Sequence, residues 1–335
     1  MAARLGRAVS IAALAAAAVA FATALCVLAA LMHSAVARRV LDHPGARSMH
    51  SVPTPRIGGL GVLAGLAAAL AIGPGALPPS VYVALTGVAA ISVVDDVRGL
   101  GAGVRLPLHL LAAAIAAAGT LPEAGWPLVA ATTVLLAWGT NLFNFMDGSD
   151  ALAGSMAVAG FATYAAAAAP TDPTLAAACL AVAAAAAGFL RYNLPPARLF
   201  MGDVGSTSLG LLAGAIGALG VGRGLWSPLL PAMAFMPFVF DATATLADRA
   251  LRRRRVWEAH REHAYQRLNL GGLGHRRTAS VYAALMVCSG AVALLAHATH
   301  LEWAALGALT VLHAVLWLSV RLGRLTKPHA GSERV

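Results

Sequence analysis

Apolar runs of bilayer-spanning length, cut apart by short polar loops, constrain this chain more than any other feature. The runs fall near residues 8–32, 57–73, 79–94, 106–120, 127–143, 152–169, 173–190, 207–222, 228–247, 278–297 and 302–320. A helix needs about 17–25 apolar residues to cross the hydrocarbon core of a membrane. None of the runs shows the in-out alternation of a membrane β-barrel strand. Charged residues are 11% of the chain and hydrophobic residues 59%, with a mean hydropathy of +0.75. A soluble domain carries about 25% charge. The expectation is an all-α, polytopic integral membrane bundle of about eleven transmembrane helices. It forms a single domain over 1–335, with a tail at 321–335. Arg4 and Arg7 precede the first run. That run is longer than the core of a cleaved signal peptide, so it reads as a retained anchor.

Charge sorts the loops. Placed on alternate sides of these runs, 21 of the 24 Lys and Arg residues fall on one side, leaving Arg4, Arg7 and Arg223 on the other. The positive-inside rule makes the rich side cytoplasmic, the N-terminus external and the C-terminus internal. The basic excess is therefore topogenic, although Arg252–Arg255 could also touch anionic headgroups. No basic soluble domain exists to bind nucleic acid. Cys26, Cys179 and Cys288 all lie in apolar runs and read as small core residues.

Acids are sparse, 14 in 335 residues, yet five stand where an apolar run stops: Asp95 and Asp96 in VVDD, Asp147 and Asp150 in NFMDGSD, Asp203 in FMGDVGS. Ionised carboxylates at a membrane boundary are unfavourable unless they have a use. All five fall on the cytoplasmic side, which suggests a metal-dependent site there. Adjacent carboxylates such as Asp95–Asp96 can hold Mg²⁺ or take a proton from a nucleophile. Arg98 and Arg105 could equally just neutralise them. Asn141, Asn144, Asp147 and Asp150 recur every three residues, which on a helix gives one face of hard oxygen ligands. Asp203 precedes a helix start, where Ser206 and Thr207 could cap the helix and bare N–H groups could accept phosphate. The first loop, DHPGARSMHSVPTPRIGG, cannot be a continuous helix. It offers Arg47, His50 and Arg56 to phosphate. The longest loop carries His260, Arg261, His263 and Arg267, a set that could meet a diphosphate.

The ordered set PTPRIGG, VVDD, NxxNxxDGxD, FMGDVGS and HREHAYQRL resembles the polyprenyl-phosphate N-acetylhexosamine-1-phosphate transferases, over roughly residues 38–277. The resemblance implies transfer of a sugar-1-phosphate from a UDP-sugar to undecaprenyl or another polyprenyl phosphate. UMP leaves and a lipid-linked diphosphate sugar forms, with Mg²⁺ required and Mn²⁺ as an alternative ion. Carried over residue by residue, it makes Asp95 and Asp96 the paired catalytic aspartates, one of them the base for the lipid phosphate. Asp203 binds the metal, with Asp147 beside it. Asn144 and Asp150 line the nucleotide site, and Asn193 and Phe200 contact the uridine; Arg47, His50 and Arg261 are added as substrate-binding groups from their own chemistry, not from the resemblance. His263 is a catalytic loop histidine near the diphosphate. The setting implied is a bacterial inner (cell) membrane, with the active site cytoplasmic and a homodimer left open.

Departures narrow the branch. Ala151 stands where a glycine is usual, Ser48 where a basic residue is common, and HREHAYQRL lacks a run of three histidines. That run typifies the phospho-MurNAc-pentapeptide translocases of peptidoglycan synthesis. Its absence points to the branch that starts O-antigen-type surface polysaccharides and lipopolysaccharide with UDP-GlcNAc or a deoxy relative. Two other classes fit less well. A secondary transporter would carry its acids near mid-bilayer and often an internal repeat. A CDP-alcohol phosphotransferase would need an arginine after Asp147-Gly148, where this chain has SDALAG.

Overall fold

The computed structural model describes residues 11–45, 48–73, 76–256, 258 and 260–325. Arg47, the N-terminal Arg4 and Arg7, and the tail beyond 325 lie outside the described residues. Helices dominate: α1 (Ile11–Met32), α2 (Ala35–Arg39), α3 (Gly58–Ile72), α4 (Pro79–Arg98), α5 (Ala102–Thr120), α6 (Trp126–Met146) and α7 (Leu152–Ala168). They continue with α8 (Pro173–Asn193), α9 (Gly202–Gly222), α10 (Leu229–Ala234), α11 (Met236–Leu251), α12 (Ala264–Leu268), α13 (Gly274–Thr299) and α14 (Glu302–Arg321). Strands β1 (Leu41–Asp42) and β2 (Thr54–Pro55) form one antiparallel ribbon. The all-α polytopic expectation holds.

Eight of the described helices have the length and composition to cross a membrane, while α3 and α7 are shorter apolar helices. The run at 228–247 is not one helix. The chain leaves helical geometry at Phe235 and restarts with Pro237 in the first turn of α11, where a missing N–H is tolerated.

Helix α9 is the axis of the bundle, packed by α6, α4, α3 and α5. Of its most apolar stretch 83% is buried, against 17% for α14, which is an outer helix. Between helices in lipid, close packing replaces the hydrophobic drive, so small residues mark the contacts. A Cβ on Gly59 would collide with the backbone at Gly205, and one on Gly58 with the Phe189 ring. Those two glycines let the segment after β2 lie against the start of α9. Phe200 N–H donates to Pro55 O (2.8 Å), Gly58 N–H to Phe200 O (2.9 Å) and Gly59 N–H to Met201 O (2.7 Å). Two motifs far apart in sequence, PRIGG and FMGD, are thereby zipped together.

Candidate active site

The C-terminal ends of α4, α6 and α8 and the N-terminal ends of α3, α7 and α9 meet at one end of the bundle. There the ends of α6, α8 and α9, with the loop over 42–56, the turn over 147–150 and residues of α12 and α13, line a cavity of about 500 Å³. Asn144, Asp147, Asp150, Asn193, Phe200, His50 and Asp203, all expected from the sequence, line it. Arg56 joins them, as do Asp42, Gln266 and His275.

Asp203 sits in the first turn of α9 and lines the cavity. Asn144 Nδ2 donates to its Oδ1 (2.8 Å) and Arg105 Nη1 to its Oδ2 (3.2 Å). The same Arg105 nitrogen donates to Asp95 Oδ2 at 2.7 Å, and Asp95 also accepts the Leu100 N–H. Asp95 is buried and its oxygens are taken up by these partners. Asp96 accepts from the backbone N–H groups of Asp203 and Val204 and lies behind the cavity wall at Gly202. Asp96 thus caps α9. Ser206 and Thr207 do not, contrary to the sequence expectation. They lie one turn further on, where Ser206 donates back to Gly202 O and Thr207 meets Ser92 across the α4–α9 contact.

The expected helical face of Asn141, Asn144, Asp147 and Asp150 is also corrected. Helix α6 ends at Met146, so only the two asparagines share it. Asn141 turns back to donate to Ala137 O. Asp147 follows the helix end, and a turn carries Asp150 round to the other wall. Gly148 is required there: a Cβ would strike the Tyr265 hydroxyl, which donates to Phe145 O at 3.0 Å. Burial pushes the Asp147 carboxyl well above the usual carboxylate range, and the neighbouring Asp203 and Asp96 add to the shift.

Asn193 reaches the cavity, but its polar atoms brace the backbone. Its Oδ1 accepts the Ala151 N–H (2.8 Å) and its Nδ2 donates to Leu199 O (2.9 Å). Asp150 Oδ2 accepts the Ala197 N–H at 3.0 Å. The His50 ring packs edge-on to Phe200, with centroids 4.9 Å apart. Arg56 pairs with Asp42; burial works against its charge, but the Asp42 hydrogen bond and charge outweigh it and hold the guanidinium above its ordinary pKa.

His263 and Arg261 are not brought into the cavity. His263 is buried, its Nδ1 3.6 Å from Asp241 and its ring stacked between Phe145 and Tyr265. A histidine facing the diphosphate is therefore not what this loop presents. Burial, then His263 and Arg249, push His260 down to about 4, so it brings no positive charge at neutral pH.

Sequence reasoning missed Asp241 and His275. Asp241 is buried and accepts from Ala264 N–H, Tyr282 Oη–H and Thr245 Oγ1–H. A lone acid inside the run at 228–247 was the available signal. His275 lines the cavity, and only its place in GHRR could have flagged it.

The described cavity walls carry four carboxylates, Asp42, Asp147, Asp150 and Asp203, against one arginine, Arg56. Such an acid excess with hard oxygen donors suits a divalent cation. Among the described residues no three acidic, histidine or cysteine side chains cluster closely enough to hold an ion alone.

Residues 79–220 match the family model described as glycosyl transferase family 4. A probable undecaprenyl-phosphate N-acetylglucosaminyl 1-phosphate transferase of Bacillus subtilis is 31% identical over 261 residues, which cover 72% of this chain and 73% of that protein. A phospho-N-acetylmuramoyl-pentapeptide-transferase of Symbiobacterium thermophilum is 42% identical, but over 38% of this chain and 35% of that protein. One from Staphylococcus haemolyticus is 31% identical over 46% of this chain and 47% of that protein.

Proposed function

The chain belongs to glycosyl transferase family 4 and is a membrane sugar-1-phosphate transferase; from that premise we propose that it moves an N-acetylamino-sugar-1-phosphate from its UDP-sugar to undecaprenyl phosphate. The observation that carries the reading is the convergence of Asp203, Asp147, Asn144 and Arg56 on one cavity at the end of the bundle. A polyprenyl phosphate head lies at the membrane boundary, so the acids that serve it must lie there too.

A lipid phosphate oxygen attacks the β-phosphorus of the UDP-sugar, the bond between the two phosphates breaks, and UMP leaves. Asp203 and Asp147 would hold Mg²⁺, which when bound offsets phosphate charge and orients the diphosphate for in-line attack. Asp96, beside the cavity wall at Gly202, accepts the proton of the attacking phosphate. Arg105 pairs with Asp95. Arg56 meets phosphate oxygens, and Asn144 holds Asp203 in place. Direct attack needs nothing beyond these groups.

The sugar in this reading is GlcNAc or a 6-deoxy N-acetylamino relative, and the product starts a surface polysaccharide. The longer match to the N-acetylglucosaminyl 1-phosphate transferase supports it, as does the absence of a triple histidine. The site faces the cytoplasm of a bacterial cell membrane. Purified protein with undecaprenyl phosphate and a panel of UDP-sugars, followed by UMP release, tests the assignment. Turnover of UDP-GlcNAc is expected. Efficient use of UDP-MurNAc-pentapeptide instead would overturn it.

A further inference from the structure

The geometry points to His275 as a positioning residue that pins the chain at Met49 to the Ser149–Asp150 turn and so sets the mouth of the cavity. This rests on the cavity being the nucleotide-sugar site. His275 is the second residue of α13, delivered by a turn that passes through left-handed Gly272 (φ 99°) and Gly274 (φ 70°). Its Nε2 lies 3.0 Å from Met49 O. A carbonyl can only accept, so Nε2 carries the hydrogen.

The opposite nitrogen, Nδ1, faces Ser149 Oγ at 3.2 Å, Asp150 N at 3.3 Å and Asp150 Oδ1 at 3.3 Å. With Nε2 protonated, a neutral ring accepts at Nδ1 from the Asp150 N–H or the Ser149 hydroxyl, and a protonated ring, which the Asp150 carboxylate favours, donates from Nδ1 to Asp150 Oδ1. One ring therefore joins three segments of the chain. Asn269 backs it, with Nδ2 donating to Ser149 Oγ at 2.9 Å and lying 3.9 Å from Met49 Sδ. Met49, Ser149, Asp150 and His275 all line the cavity, and His50, next to Met49, lies against Phe200.

Among the described residues, the hydrogen-bond ties from Met49 to distant parts of the fold are those to His275 and the longer Asn269 contact, while its side chain packs against the edge of the core. Segments held by few bonds open at low free energy, and mouth loops are drawn from that class. His275 has Met49, Ser149 and Asp150 as its hydrogen-bond and ion-pair partners, not Asp203 or Asp96. Its removal loosens the wall that binds substrate without changing the groups that react, so affinity falls rather than the rate of chemistry.

The full-length protein is tested as His275→Ala and His275→Gln. The glutamine amide can still donate to Met49 O. In the alanine variant the KM for UDP-GlcNAc should rise about tenfold, the size expected for loss of a net hydrogen bond, with kcat within about twofold. Glutamine should recover most of it. In the substrate-free protein, deuterium uptake of the peptide over 48–56 should rise in the alanine variant and much less in the glutamine one. Asn269→Ala, a milder change, should raise uptake in the same peptide. A fall in kcat at unchanged KM, or unchanged uptake in both His275→Ala and Asn269→Ala, would overturn the assignment. Uptake does not depend on substrate. Wild-type protein inactive on every UDP-sugar would thus sink the proposed function while uptake still decides the role of His275.

Discussion

The Asp96 carboxylate accepts the backbone N–H groups of Asp203 and Val204, at 3.2 and 3.3 Å. The first N–H groups of a helix have no intrahelical partner and form its positive end, so an anion there is stabilising. The last turn of α4 thereby caps the first turn of α9 and sets two acids of the site beside each other.

Asp96→Asn keeps an oxygen for one of these N–H groups but loses the charge and the proton acceptor. UMP release should fall at least about 100-fold, the low end for loss of a general base, while the unfolding midpoint moves little. Asp96→Ala should also lose about 0.5–2 kcal/mol of stability, as a deleted helix cap does. Near-normal turnover in the asparagine variant would remove Asp96 from proton transfer.

Asp203→Asn should abolish turnover, by more than the roughly 10–100-fold typical of changes outside a metal's direct ligands. Chelation should silence the wild type, with Mg²⁺ or Mn²⁺ restoring it. An Asp203→Asn enzyme that runs normally at saturating Mg²⁺ would take this residue out of the metal site.

Ala151 sits at φ 62°, in the left-handed region. A Cβ there is disfavoured by about 1–2 kcal/mol, which the extra unfolded-state freedom of glycine partly offsets. Ala151→Gly should therefore raise stability by about 0.5–1 kcal/mol, read as a higher thermal midpoint in detergent. A lower midpoint would show that the Asn193 brace on the Ala151 N–H does not hold the same geometry in both proteins.

The orientation has a direct check in a background without the three native cysteines. Arg98→Cys and Arg253→Cys should resist a membrane-impermeant thiol reagent in intact cells, whereas Glu123→Cys, at the opposite end of the bundle, should react. Labelling of the first two from outside would reverse the topology.

The sequence by itself determined the class of fold and placed its boundary acids at one end of the bundle. Apolar length and charge asymmetry are local properties, and the spacing of Asp95, Asp96, Asp147 and Asp203 at run ends survives any detail of packing. It also pointed to Asn144 and Arg56, because polar groups beside acids at a boundary have few other uses. Only the tertiary structure decided how each group is employed. A side chain's job depends on which partner packs against it from a distant segment. Asp95 is engaged by Arg105 and Asp96 by the N-terminus of α9. Asn193 braces Ala151, and His263 is buried against Asp241 rather than turned to the cavity. Periodicity carried Asp150 along a helix that in fact ends at Met146, since a period of three continues on paper past the residue where the hydrogen-bond ladder stops. His275 had no sequence signal beyond its place in GHRR; its partners Met49 and Asp150 lie 226 and 125 residues away, and only folding brings them to one ring.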